Sequence, residues 1–241
     1  GAGARGELRI TYNQGTPDNY AYITDRSYNR EITNTTSHTI TMPSGITSGD
    51  LLLAVFTNDG TATSSPSADW TTLKNAESDT NQSAVYYKTA AGSDTLTVTT
   101  SASESSSHFV FLIKNGGTPT ATVASSTTTT NANPPSHDAG SSAKYLWVAT
   151  GGWDECETSG AWTVSRQPPG YSDYIFQPPA VISGVIDGAC TAVSNRYAEK
   201  QTEDPGTWTS TTESWVSFTI AVPFQAAAAA GKSATQIIII D

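Results

Sequence analysis

The sequence predicts an all-β protein: an antiparallel β-sandwich of jelly-roll character, built from two internally repeated halves with an arm at each end. Three observations carry this. Apolar and polar residues alternate with period two in one stretch after another, the alternation of a strand and not the 3.6-residue period of a helix. The 241 residues are rich in Ser, Thr, Gly and Asn, while charged residues make up only 14%; such a chain is poor in helix formers and well supplied with turn residues. The same string of features also runs twice along the chain, the mark of a repeated unit.

Residues 1–36 lie outside the repeat and read as an N-terminal arm, with LRITYN and the Tyr-rich DNYAYITDRSYNRE. The first half, 37–116, offers HTITMP (38–43), LLLAVFT (51–57), AVYYKTA (84–90), TLTVTT (95–100) and HFVFLIK (108–114) as strands. Turn-rich pieces such as NDGTATSS and SASESSS separate them. The second half, 131–223, offers KYLWVAT (144–150), AWTVSRQ (161–167), TWTSTT (207–212) and WVSFTIAVPF (215–224). The only helix-like piece, the alanine run at 226–230, is too short to stand alone.

The repeat has a fixed offset at first. Pro43-Ser44 returns as Pro135-Ser136, Gly60 as Gly152 and Trp70-Thr71 as Trp162-Thr163, each 92 residues on. Further along, TLTVTT is echoed by TWTSTT and SHFVFLI by SWVSFTI. Each half supplies enough strands for a sheet whose apolar face needs a cover, so two packed sheets are expected. Residues 37–223 then form one pseudo-symmetric sandwich; two small separate sandwiches are the alternative. Residues 224–241 form a C-terminal tail.

The repeated string resembles a sandwich module of tailed-phage structural proteins. That module is similar in its Gly-Asp strand start, Asp-Gly turn, Trp strand and Tyr-Tyr-Lys-x-Ala strand. Gly49-Asp50, Asp59-Gly60, Trp70, Tyr86-Tyr87-Lys88 and Ala90 match it, and Trp162, Gly170-Tyr171 and the strand over 215–220 match more loosely. The resemblance covers about residues 37–223. It implies a structural protein of tail, fibre or capsid surface and brings no catalytic residues.

Composition bounds the function. A net charge of −10 with only 12 Lys and Arg argues against nucleic acid, which needs clustered cations. No apolar run approaches the roughly 20 residues of a spanning helix, so membrane insertion is not expected. The first residues show no signal-peptide pattern, which fits assembly in a host cytoplasm.

Chemical motifs are few. GKS at 231–233 suggests a phosphate loop, but Ala226 stands where that loop needs its first glycine. His38, His108 and His137 have no ligand spacing and read as solvated or turn-bonded. Asp154, Glu155 and Glu157 in WDECE are weak candidates for Ca²⁺, against the plainer reading of a solvated acidic loop. No metal or other cofactor is expected. Cys156 and Cys190 can form one disulfide or stay as thiols. Trp153, Trp162, Tyr171, Tyr174 and Trp208 fall at or near second-half loops, where aromatic faces can meet sugars. The stretch 167–190, absent from the first half, reads as a variable contact surface.

Ile237, Ile238, Ile239 and Ile240 make a run that is apolar on both faces. Such a run calls for burial on both, as an added strand on a sheet edge, and these four residues are the expected assembly tail. These readings combine into a non-enzymatic virion protein displayed on the particle surface, capsid-decorating or tail-associated. Its arms bind other copies and other virion proteins, with host-surface glycans as further partners. A carbohydrate-binding adhesin module of a bacterial surface or secreted protein is the alternative, and a polysaccharide-degrading enzyme the third reading.

Overall fold

A computed structural model of the chain describes residues 19–127, 131–154, 164, 166–177, 180–182, 185–210 and 213–226. All regular structure among them is β, and every strand pairing is antiparallel. The first sheet holds β1 (Tyr22–Ile40), β2 (Leu51–Asn58), β3 (Ser64–Pro66), β4 (Thr71–Glu77), β5 (Gln82–Thr89) and β6 (Leu96–Lys114). Its order is β1-β6-β2-β5-β4, with β3 pairing to β6. The second holds β7 (Thr120–Ser126), β8 (His137–Trp153), β9 (Ser172–Gln177), β12 (Cys190–Glu203) and β13 (Trp215–Pro223), in the order β7-β13-β8-β12-β9. Between β9 and β12 lies a short hairpin, β10 (Ala180–Ile182) and β11 (Val185–Asp187), which among the described residues pairs only with itself.

The chain thus completes one sheet before beginning the other and crosses once, through residues 115–119. This sequential winding stands in place of the jelly-roll winding expected, in which strands of the two sheets alternate along the chain. The two sheets nevertheless share one strand order, with β7, β13, β8, β12 and β9 standing where β1, β6, β2, β5 and β4 stand. They stack in opposite senses, β1 across from β9 and β4 across from β7, with β2 over β8 at the centre. That arrangement parallels the sequence repeat without establishing a duplication.

Three cores follow from this stacking. Between the sheets lie Leu51, Leu53, Val55, Phe109, Phe111 and Ile113, facing Leu146, Val148, Val216, Phe218, Ile220 and Val222. The other face of the first sheet is also buried: Leu52, Ala54, Phe56 and Tyr86 pack under Ile40, Leu96, Val98 and Trp70. Ile40 ends β1 and Leu96 and Val98 begin β6, so the ends of these long strands cover the sheet they belong to. Trp147, Trp153, Tyr171, Cys190, Trp208 and Trp215 form a third core on the outer face of the second sheet. The sandwich therefore has covered outer faces. That is why LLLAVF is apolar at consecutive positions: β2 is buried at every residue, as strands covered on both faces are.

Two sequence expectations change. The N-terminal arm expected over 1–36 joins the body from Tyr22, where β1 pairs with β6 across Tyr22↔Lys114 through Ile40↔Leu96. The strand expected at TWTSTT is no strand in its described part; only Thr209 makes a bridge, to Arg166.

Candidate functional site

The residues that carry the sequence resemblance prove to be internal ties. Gly49 adopts φ +92°, a backbone form that suits glycine, and its N–H donates to the Ala90 carbonyl at 2.9 Å. Ala90 N–H returns a bond to the Asp50 carbonyl at 2.7 Å, which locks the start of β2 to the end of β5. The Asp50 carboxylate accepts from Thr47 N–H (2.7 Å), Thr47 Oγ1 (2.9 Å) and Lys114 Nζ (2.7 Å). Burial pushes its pKa up, but these donors outweigh burial and hold it below the ordinary carboxylate range. Asp59 Oδ1 accepts Ser105 N–H at 2.7 Å, and the Glu104 carboxylate lies against Gly60. Trp70 is buried and donates its indole N–H to the Thr95 carbonyl at 2.9 Å. Lys88 pairs with Asp69 and with the buried Asp94, which also accepts from Ala91 and Gly92 N–H. Tyr86 shares a hydrogen bond with Ser64 at 2.6 Å, and burial pushes its phenol up to about 12.

The described aromatic candidates do not form a surface. Trp153, Tyr171 and Trp208 are buried in the outer core of the second sheet. The Trp153 ring folds back over Gly151, where a Cβ would meet it at 2.3 Å. Trp208 donates its indole N–H to the Thr150 carbonyl at 3.3 Å, and Tyr174, half-buried, stacks against it at 6.0 Å and donates to the Val164 carbonyl. Arg196 lies over the Tyr171 ring at 5.7 Å. Burial, then the charge of Glu203, pushes the Tyr171 phenol far up. Nothing in the sequence distinguishes loop aromatics that face outward from loop aromatics that fold inward to close a sheet. Trp162 lies outside the described residues.

The histidines, expected to be solvated or turn-bonded, are all buried. His38 sits between Thr100 Oγ1 (3.2 Å) and Ser106 Oγ (2.9 Å). His108 Nε2 accepts Thr41 N–H at 3.2 Å, which fixes its neutral tautomer. Burial, then the charge of His38, holds His108 down at about 4. His137 bonds Thr120 Oγ1 at 2.9 Å. Among the described residues no three His, Cys, Asp or Glu converge as metal ligands do. Asp154 is described; Glu155 and Glu157 lie outside, as does the GKS triplet. The expected assembly tail, Ile237, Ile238, Ile239 and Ile240, likewise lies outside the described residues. Cys190 is disulfide-bonded. Cys156, the chain's only other cysteine, also lies outside them. Of the stretch 167–190, Ser172–Gln177 is an edge strand, and the β10–β11 hairpin follows it.

Sequence reasoning missed two features. One is the buried Glu203, held by Arg196 at 3.4 Å and by Lys200. Strict alternation would place Glu203, an odd number of residues from Arg196 and from Lys200, on the other face of the strand; the register shift between Lys200 and Thr202 breaks that alternation, so the sequence carried no signal for it. The other is one end of the body, where both arms leave. Tyr20 lies against Tyr197 (5.8 Å) and under Lys144 (5.3 Å). Lys144 accepts Phe224 N–H at 3.1 Å through its carbonyl, and Gln225 N–H donates to the Asn115 carbonyl at 2.8 Å. A cavity of about 460 Å³ opens there, lined by Gly49, Asp50, Lys114, Asn115, Gln225 and Ala226 among others. β1 runs away from this end as the edge of its sheet.

No family model, curated protein or solved structure matches the chain.

Proposed function

We propose that the chain is a non-enzymatic structural module, a rigid display body that assembles with copies of itself through its terminal arms. The observation that carries this reading is the shared exit of both arms. The chain enters at Tyr20 and leaves at Gln225 side by side, at the end of the sandwich formed by Lys114, Asn115 and Lys144. One end is thereby marked for attachment, and the loops of the far end are left for contact. The architecture suits such a role. Three stacked cores and buried side-chain ties give a stiff body whose charged groups serve the fold. The resemblance of residues 37–223 supports the surface of a tailed-phage particle, on capsid or tail, as the setting.

The adhesin reading loses support, since Trp153, Tyr171 and Trp208, three of the aromatics that would have stacked on sugar, are packed inside. The test is light scattering on the full chain and on a chain ending at Gln225. A defined oligomer from the full chain and a folded monomer from the shortened one is the expected result. Two monomers of equal stability would overturn the proposal.

A further inference from the structure

The end of β1 and the residues after it lie over the outer face of the first sheet, and two buried histidines sit there. His38 is 1% exposed and His108 2%. His108 stands on β6 directly opposite Phe56 of β2, and the His38 ring meets the Phe56 ring edge-on at 5.2 Å. Both imidazoles thus border the outer core that holds Ile40, Leu52 and Phe56, against which Met42 and Ile46 also pack.

The two rings are held differently. His38 lies between two hydroxyls, with Ser106 Oγ 2.9 Å from Nδ1 and Thr100 Oγ1 3.2 Å from Nε2. A hydroxyl can accept as well as donate, so both can accept from this ring when it is charged. His108 has no such freedom. Its Nε2 accepts the Thr41 N–H at 3.2 Å, and a backbone N–H can only donate. Its Nδ1, which carries the proton in that tautomer, is buried with no hydrogen-bond partner among the described residues. A proton added at Nε2 therefore aims one donor at another and leaves a charge in a buried site. The surrounding charges favour His38 instead. Glu31 on β1 and Asp59 after β2 raise the affinity of His38 for a proton, and Glu104 on β6 is set against Asp59. Residues 41–49, TMPSGITSG, carry no charge. Burial, then the charge of His38, holds His108 at about 4, against 6.5 for a free histidine.

We infer that residues 41–43 form an acid-released latch over the outer core: proton uptake at His108 Nε2 breaks its bond to Thr41 and lifts this segment while the body stays folded. The other ties at Thr41 are exposed, from Ser27 Oγ to the carbonyl (2.5 Å) and from Asn29 Nδ2 to Oγ1 (3.3 Å), so water can replace them. The next tie outlasts the first. Ser44 N–H and Oγ donate to Asp25 Oδ2 at 2.8 and 2.6 Å, and the hydroxyl bond above all holds Asp25 below its ordinary 3.8. Asp25 keeps its charge through the range in which His108 gains one, so the segment pivots at Ser44. Opening uncovers the apolar surface on which Met42 packs. The latch belongs to the body alone and does not depend on the assembly reading.

The test is amide hydrogen exchange by NMR on the full chain at pH 7.5 and 4.5, read at Thr41 and at Val148 of the central strand β8, and corrected for intrinsic rates. Thr41 should be less protected than Val148 at both pH values, by about tenfold or more. Its protection should fall roughly 70-fold from the higher pH to the lower, the ratio set by proton uptake at about 4 when closed and 6.5 when open. Urea below the unfolding transition should speed exchange at Val148 and leave Thr41 unchanged, the mark of local opening. Equal protection at the two amides, or a common response to urea, would mean that only unfolding of the whole body frees Thr41. Protection at Thr41 that is flat in pH would mean that opening takes up no proton. Either result overturns the inference. His108→Gln should abolish the pH response at Thr41, and His38→Gln should keep it; the reverse pattern makes His38 the trigger and overturns the inference too. If His108→Gln does not fold, the urea comparison and His38→Gln decide by the same outcomes.

Discussion

The two outer cores solve one problem in different ways. In the first half the outer face of the sheet is covered by strand: the end of β1, the start of β6 and β3 lie over Leu52, Ala54 and Phe56. In the second half no described strand lies over the outer face of the sheet, and large rings take that place: Trp208 and Tyr171, carried on loops, reach in over Tyr145, Trp147 and Ala192. A covering strand is held by its ladder and contributes many modest side chains. A covering loop has no ladder, so a few large rings supply the buried area, and each of them matters more.

The largest effect that separates the two halves is therefore expected at Trp208. Its indole is fully buried and its N–H is bonded to Thr150. Trp208→Ala should cost about 3–5 kcal/mol in denaturant unfolding. Leu96→Ala, in the strand cover of the first half, should cost about 2–4 kcal/mol. If the leucine costs more than the tryptophan, the contrast between ladder-held and ring-held cover is wrong.

The next effect lies in the first half and depends on pH. His108 titrates at about 4 in the folded protein against 6.5 for a free histidine. The unfolded chain binds the proton more readily, so the stability tied to neutral His108 is complete above pH 6.5. It falls as pH drops toward 4, by about 3 kcal/mol in all. His108→Gln keeps an acceptor for Thr41 N–H without the titration. Stability measured against pH should fall less steeply in the variant between 6.5 and 4, and parallel curves would show that His108 is not the proton sink.

How much of this was legible in the sequence follows the same divide. The strands β2, β5, β6 and β13 are readable because period-two or continuous apolar runs leave few other folds. The class and the order of elements follow from them. The covers are not readable. HTITMP and TLTVTT look like ordinary strands, with no sign that they fold over their own sheet. The loop aromatics of the second half carry the same signal whether they face sugar or core, because an indole suits both. β1 reads as an arm up to residue 36 because Asp25, Arg26, Arg30 and Glu31 break its apolar pattern. Charges of that kind are what an edge strand carries to stay unpaired.

The glycines that the sequence repeat equates test the contrast at closer range. Gly60 and Gly152 stand 92 residues apart. A Cβ on Gly152 would meet Ser83 Oγ at 2.3 Å and Thr57 Oγ1 at 2.5 Å, buried between the sheets, and the Gly152 carbonyl accepts from Asn81 Nδ2 at 3.2 Å. The atoms nearest to a Cβ on Gly60 belong to the carboxylate end of Glu104, which can swing aside. Gly152→Ala should cost about 1–3 kcal/mol by overpacking, and Gly60→Ala under about 1 kcal/mol. Equal costs in thermal unfolding would mean the two positions are equivalent in packing as well as in sequence.

The smallest effect concerns the charged ties. Lys88 in the first half is shared by two carboxylates of opposite character: Asp94 is buried and also accepts from Ala91 and Gly92 N–H, while Asp69 is exposed. Removing the buried charge leaves the lysine with a partner that water already screens. Asp94→Asn keeps an acceptor for the turn but weakens the ion pair, and should cost about 1–2 kcal/mol at neutral pH. Asp94 is held below its ordinary pKa because the Lys88, Ala91 and Gly92 donors outweigh burial, which raises it. Its contribution is thus present above the unfolded value of 3.8 and fades as pH falls through the lower folded value. Asp69→Asn should leave the unfolding midpoint unchanged, as exposed pairs commonly do. Should Asp69→Asn prove the more costly of the two, the lysine is held by its exposed partner. The turn after β5 would then be braced from outside the fold, unlike Glu203 in the second half, which is fully buried beneath its two cations.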